Sequence, residues 1–251
     1  MSPSLMKDRC VAFGIYEAPA QLSKQEFDAK LQQLADDLIE VPSIQKHVLK
    51  FDLMLPTNHL DEYFKTIGIP PPTPLVIFRV ECESPDYMAQ VFSDTEFQRV
   101  LVGGAGFDLP KGSWFTADVV TRIDSEVSTA KDHIHAVVIA KVPHHIAIEQ
   151  FREQVKASHD AFFSLPVAQK VFLRHILASP NDALNAHIQT AGLTVAEPTF
   201  IVYFEAESVE RVMELVANAE SAKSAETGMK EVGSQLDNCG FSADVVTKIN
   251  S

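Results

Sequence analysis

The sequence predicts an α+β protein: two tandem ferredoxin-like (β-α-β-β-α-β) repeats closing into an intramolecular pseudo-dimeric α/β barrel. Three observations predict it. The phrase FTADVVTRID, Phe115 to Asp124, returns as FSADVVTKIN, Phe241 to Asn250. The stretch Val41 to Ser84 lies on Leu165 to Ser208 without a gap, at a constant offset of 124. Finally, 251 residues at 46% hydrophobic content are enough for two halves with a core each.

The elements follow in the same order in each copy. VAFGIY (Val11 to Tyr16) and HAVVIAK (His135 to Lys141) are short apolar first strands. Amphipathic helices follow at Lys24–Ile39 and Ile146–Phe163, the latter with Ile148, Phe151, Val155 and Phe162 near helical spacing. Alternating second strands are expected at Gln45–Met54 and Gln169–Leu177, each trailed by a proline-led short helix. Third strands are expected at Leu75–Glu81 and Thr199–Glu205, and Ser84 and Ser208 are the expected N-caps of the second main helices. The repeated phrase is the last strand, where the offset grows to 126. The halves are thus expected at 9–124 and 133–250, with the polar stretch 125–132 as linker. Each half would leave one sheet face bare, and closing the two sheets on each other covers both.

Net charge is −13, which disfavours nucleic acid and anionic membrane as partners. No stretch reaches the length of a membrane span, and MSPSLMKDRC has no apolar run, so no secretory signal is expected. Cys10, Cys82 and Cys239 are isolated and odd in number, which fits reduced thiols in a cytoplasmic protein.

Element order, the HAVVIAK strand and the VECES and FEAES strand-to-helix junctions resemble the dimeric α/β-barrel superfamily, of EthD-like or stress-responsive barrel type, in a fused two-repeat form. The likeness runs from about Cys10 to Asn250. It implies the fold rather than one activity, since the superfamily holds cofactor-free monooxygenases, cyclases, isomerases, stress-responsive barrels and haem enzymes. It also implies that His135 points into a cavity. The second histidine of the similar cyclases would fall at Phe97 or Ser221, and neither is histidine.

Strand parity supplies the candidate site. His135 shares a face with Val137 and Ile139, and its counterpart Val11 shares one with Phe13 and Ile15. His175 replaces Phe51, and Tyr203 replaces Arg79. His135, His175 and Tyr203 are therefore the candidate proton-transfer set, since imidazole titrates near neutrality and a phenol can donate to a developing oxyanion. Val11, Phe13, His47, Phe51, Arg79, Val137 and Ile139 are the candidate substrate-binding residues. Either face of the second strand could be the inner one; the favoured reading packs Leu49, Phe51 and Leu53 on the helices, so that Lys50 and Arg174 line the cavity and hold an anionic group.

His133 and His135, with His144 and His145 nearby, lack an identifiable third ligand, so no metal is expected. His159 and His187 carry no signal for an axial haem ligand, so no cofactor is expected. The repeated Asp118 and Asp244 are expected to pair with a basic strand residue of the other half. GGAG at Gly103–Gly106 reads as a turn and IPPPTP at Ile69–Pro74 as a stiff connector.

The leading expectation is a cofactor-independent enzyme for a small hydrophobic molecule. It would work by proton transfer in the barrel cavity, with a lyase, cyclase or isomerase outcome. A non-catalytic hydrophobic-ligand-binding or stress-responsive barrel is one alternative, and a cofactor-free oxygenase another. The expected partners are a small hydrophobic molecule and, in a homo-oligomer, further copies of the fused pseudo-dimer.

Overall fold

The computed structural model describes residues 4–5, 9–102, 112–125, 133–228 and 238–251. The Gly103–Gly106 turn and most of the expected linker, 126–132, lie outside them. Strand β1 (Ser4–Leu5) pairs with β5 beside the first half.

The first half runs β2 (Cys10–Glu17), α1 (Lys24–Ile39), α2 (Pro42–His47), β3 (Val48–Thr57), α3 (Asp61–Thr66), β4 (Leu75–Cys82), α4 (Pro85–Ser93), α5 (Thr95–Val102) and β5 (Ser113–Asp124). The second runs β6 (Ile134–Lys141), α6 (Ile148–Phe163), α7 (Pro166–Val171), β7 (Phe172–Asn181), α8 (Asn185–Thr190), the two-residue β8 (Thr194–Val195), β9 (Thr199–Ala206), α9 (Val209–Ala217), α10 (Ala219–Gly228) and β10 (Asn238–Asn250).

Local chemistry fixes the boundaries. Ser23 and Glu26 form a capping box on α1, whose buried Phe27, Leu31, Leu34, Ala35 and Leu38 recur at helical spacing. Pro42 and Pro166 open α2 and α7, where a missing N–H costs nothing. Both second strands therefore begin three residues later than the alternation suggests. Gly68 and Gly192, each at φ 78°, turn the chain out of α3 and α8 in a conformation that glycine tolerates. Ser84 and Ser208 cap α4 and α9 by accepting from the Tyr87 and Arg211 amides.

Eight strands close an antiparallel barrel in the order β5-β2-β4-β3-β10-β6-β9-β7, with β7 returning to β5. The two seams between halves match. Thr57 faces Ser242 on β3–β10, and Asn181 faces Thr116 on β7–β5. Bulges fall at equivalent places, between Thr121 and Ile123 and between Thr247 and Ile249.

The sheet has two packed faces. Inward, Val11, Phe13, Ile77, Phe115, Val137, Ile139, Ile201 and Phe241 share one core, with Phe13 and Phe115 stacked at 5.5 Å. Outward, the longer helices of each half pack on their own sheet, while α8 joins the first half's layer and α3 the second's. Cys10 and Cys82 are buried thiols that lie opposite each other on β2–β4, and Cys239 is half-buried on β10.

Candidate functional site

The inner face carries charge at the end where β4 and β9 finish. In the first half Glu81 pairs with Arg79 and with Arg9 at 3.1 Å, and Asp52 with Lys50 at 3.5 Å. In the second half Glu205 pairs with His133 at 2.6 Å and Arg174 with Asp124 at 3.2 Å. His135 Nδ1 and the Tyr203 hydroxyl share a hydrogen bond of 2.8 Å. Burial pushes the His135 imidazolium down, against the pull of Glu205, and burial pushes the Tyr203 phenol up. Both members are thus held neutral, which suits a fixed hydrogen bond better than a proton relay.

The structure separates the sequence-predicted site residues. It brings His135 and Tyr203 together on the inner face, with Val11, Phe13, Val137 and Ile139 in the same core and Arg79 on the charged end. His175 is not with them. It points outward, fully buried, with its ring 3.7 Å from that of Phe163 and 5.4 Å from that of His159. Phe51, its counterpart, packs outward with Leu53, as the favoured reading of that strand expects. The cause lies in the bulge at the start of each second strand, between Val48 and Lys50 and between Phe172 and Arg174, which sets Lys50 and Arg174 toward the charged end. His47 is not on a strand at all: it ends α2 and stacks on Tyr87 at 4.6 Å. Asp118 does bond across the seam, but to the Asn181 amide at 2.9 Å rather than to a basic residue. Phe97 and Ser221 are both buried in the helix layer.

The open space is elsewhere. A cavity of about 180 Å³ lies between α6, α10 and the outer face of β6 and β9, and α3 of the first half closes one side with Tyr63, Ile67 and Ile69. Its walls are aliphatic and aromatic, including Val138, Val155, Phe163, Phe200 and Phe204. Few polar groups face it, among them His159, Tyr63 and Ser158.

His159 is the functional candidate that sequence reasoning undervalued. Its Nδ1 donates to the Val155 carbonyl at 2.8 Å, which selects the tautomer with Nε2 as acceptor. Burial, the largest cause, pushes its pKa down to about 4, and Arg122 adds to the fall, while the Val155 carbonyl and Asp160 oppose it. Burial alone pushes the Tyr63 phenol up to about 12. The available signal was side-chain volume between the copies. Position 159 answers to Ala35, and the wall residue Ala225 answers to Leu101.

No family model and no curated protein matches the chain in sequence. Solved structures do match in shape. An anthrone oxidase-like protein superposes with TM-score 0.64 at 10% identity, over 98% of this chain and 96% of that one. A candidate monooxygenase from Fusobacterium nucleatum gives TM-score 0.55 at 8% identity, over 98% and 97% of the two chains. The chain has the dimeric α/β-barrel fold. A candidate monooxygenase from Lactobacillus acidophilus shares this barrel at TM-score 0.51 and 6% identity, over 98% of both chains.

Proposed function

We propose that this barrel is an enzyme that takes a small hydrophobic molecule into the α6–α10 cavity and moves a proton there through His159. The cavity itself carries the reading. An apolar cavity of ~150 Å³ stays dry and accepts benzene, so about 180 Å³ suits a one-ring substrate. Large-to-small replacement in a core is destabilising, and an apolar hollow with an imidazole acceptor at its edge therefore suggests a task.

His159 is neutral throughout the physiological range, so Nε2 is always free to accept a proton. Tyr63 keeps its proton and can donate to an oxyanion that forms in the same cavity. The chemistry that fits is removal of a proton from an activated carbon or hydroxyl, without a cofactor. Elimination, cyclisation or isomerisation can follow. The oxidase-like and monooxygenase descriptions of the structural neighbours favour, as the second reading, reaction of the resulting carbanion with oxygen. A purely ligand-binding role would use the same cavity and leave His159 dispensable. On the same reading, 9–124 and 133–250 are duplicated ferredoxin-like units joined through 125–132.

Deuterium exchange at the methyl group of acetophenone, followed by NMR, reads the proton step whatever comes after it. His159→Gln is expected to slow exchange by about 10²–10⁴-fold, and Ala225→Leu to abolish binding. His135→Ala should leave the rate within a few-fold. The inverse pattern, with His135→Ala disabling and His159→Gln neutral, would move the chemistry to the inner-face pair. Binding without exchange in the wild type would favour the ligand-binding role.

A further inference from the structure

A second cavity, of about 490 Å³, adjoins the first, and Phe163 lines both. Its other walls are Arg122, Ile123, Ser125, Asp160, Ser164 and Gln169. Arg122, on β5, is 8% exposed, and its Nε and Nη2 bind Asp160 at 3.0 and 2.9 Å. Its Nη1 is buried without a hydrogen-bond partner. A guanidinium cannot shed its charge, so the unmatched N–H bonds remain a buried liability.

The opposite seam shows that the structural part of this contact does not require arginine. Lys248 stands where the repeat places Arg122, and it pairs with Asp36, the counterpart of Asp160. An ammonium therefore suffices to pin strand to helix, and the additional fork of Arg122 is left over. Two more donors lie nearby. Gln169 gives one amide N–H to the Phe163 carbonyl at 3.1 Å and keeps the other, and Ser125 offers a hydroxyl. Ser164 is already engaged with the Ala161 carbonyl at 2.7 Å. The opposing charge, Asp160, has a side chain 46% exposed, so water screens it, whereas Nη1 is sealed from solvent.

We infer that a small rotation of the Arg122 guanidinium brings its unmatched Nη1 to this cavity, where it and Gln169 receive a carboxylate, and that the substrate is a hydrophobic acid whose apolar body lies under α10 and whose carboxylate sits on the far side of Phe163. This rests on the α6–α10 cavity being the substrate site. It also explains how a base held low when empty becomes competent. Besides burial, Arg122 depresses His159, with Asp160 opposing and His175 beside the ring. A carboxylate on Arg122 cancels that field, so the substrate's own acid group strengthens the base that acts on it.

Calorimetric titration of the full chain with hydrocinnamate and its neutral amide tests this, with the His159 ring protons followed by NMR. The wild type should prefer the acid by about tenfold, the worth of one pKa unit of charge interaction, and the acid alone should raise the His159 pKa. Arg122→Lys keeps the seam pair in the form the other seam already uses. It should erase the preference while amide binding persists, and Lys248→Met should leave the preference intact. Equal affinity for acid and amide in the wild type, or a preference surviving Arg122→Lys, overturns the carboxylate subsite but not the cavity. Acid binding that survives Ala225→Leu overturns the cavity reading but not the subsite. If neither compound binds the wild type, both fall.

Discussion

The two halves put the same elements in the same places and fill them differently. In the first half Trp114 lies between Tyr16, Phe78 and Phe92, and its Nε1 donates to the Tyr16 hydroxyl at 3.2 Å. Phe97 and Leu101 on α5 complete that layer. The second half writes Gly240 for Trp114, Ala140 for Tyr16, Ser221 for Phe97 and Ala225 for Leu101. Phe64 of the first half reaches across to Gly240, where a β-carbon would lie 2.6 Å from its ring, and the rest of the volume stays open. The first half is thus packed and the second hollow. The hollow one also has imidazoles, His159 and His175, where the packed one has Ala35 and Phe51.

The largest effect should come from hollowing the packed half. Trp114→Gly should cost about 3–5 kcal/mol by the usual cost of removing a buried tryptophan, measured by denaturant unfolding. A cost below about 1 kcal/mol, small for a core truncation, would mean that the first half was never tightly filled. The reverse change, Gly240→Trp, should not restore a packed second half, because Phe64 occupies the approach.

A smaller effect should appear with pH, through the buried imidazoles of the second half. His159 and His175 both have folded-state pKa values pushed below the ordinary 6.5, chiefly by burial. The unfolded chain binds protons that the folded one refuses, so stability is complete above about pH 6.5 and falls as pH drops toward 4. At about 1.4 kcal/mol per pKa unit, His159 accounts for at most about 3 kcal/mol, less because one edge of its ring faces the cavity. His159→Gln should flatten that share of the slope, read as the difference between the two unfolding free energies at pH 7 and pH 4. Parallel curves for variant and wild type would remove His159 as a buried neutral base.

The repeat made most of the fold legible. The sequence reading placed α1 at its observed ends and the third strands within a residue, because periodicity and matched prolines, glycines and capping serines act locally. Parity also placed His135, Val137 and Ile139 together. It failed at His175, because parity within one strand says nothing about the next strand until the register is known, and here a short helix and a bulge intervene. The cavity stayed hidden for another reason. Comparing the halves for charge draws attention to His135, whereas the cavity is walled by Ala140 and Ala225, where the first half has Tyr16 and Leu101, and neither alanine is unusual alone.

The most direct test of the hollow-half account is a benzene titration of methyl-labelled protein followed by carbon–proton NMR. The account predicts one saturable site, with shifts confined to the methyls of Val138, Val155, Val202 and Ala225, and none at Val91 and Leu101 of the packed half. Shifts centred on Val11 and Val137 would instead put the site inside the barrel, and no saturable shift at any methyl would contradict a working cavity in the second half.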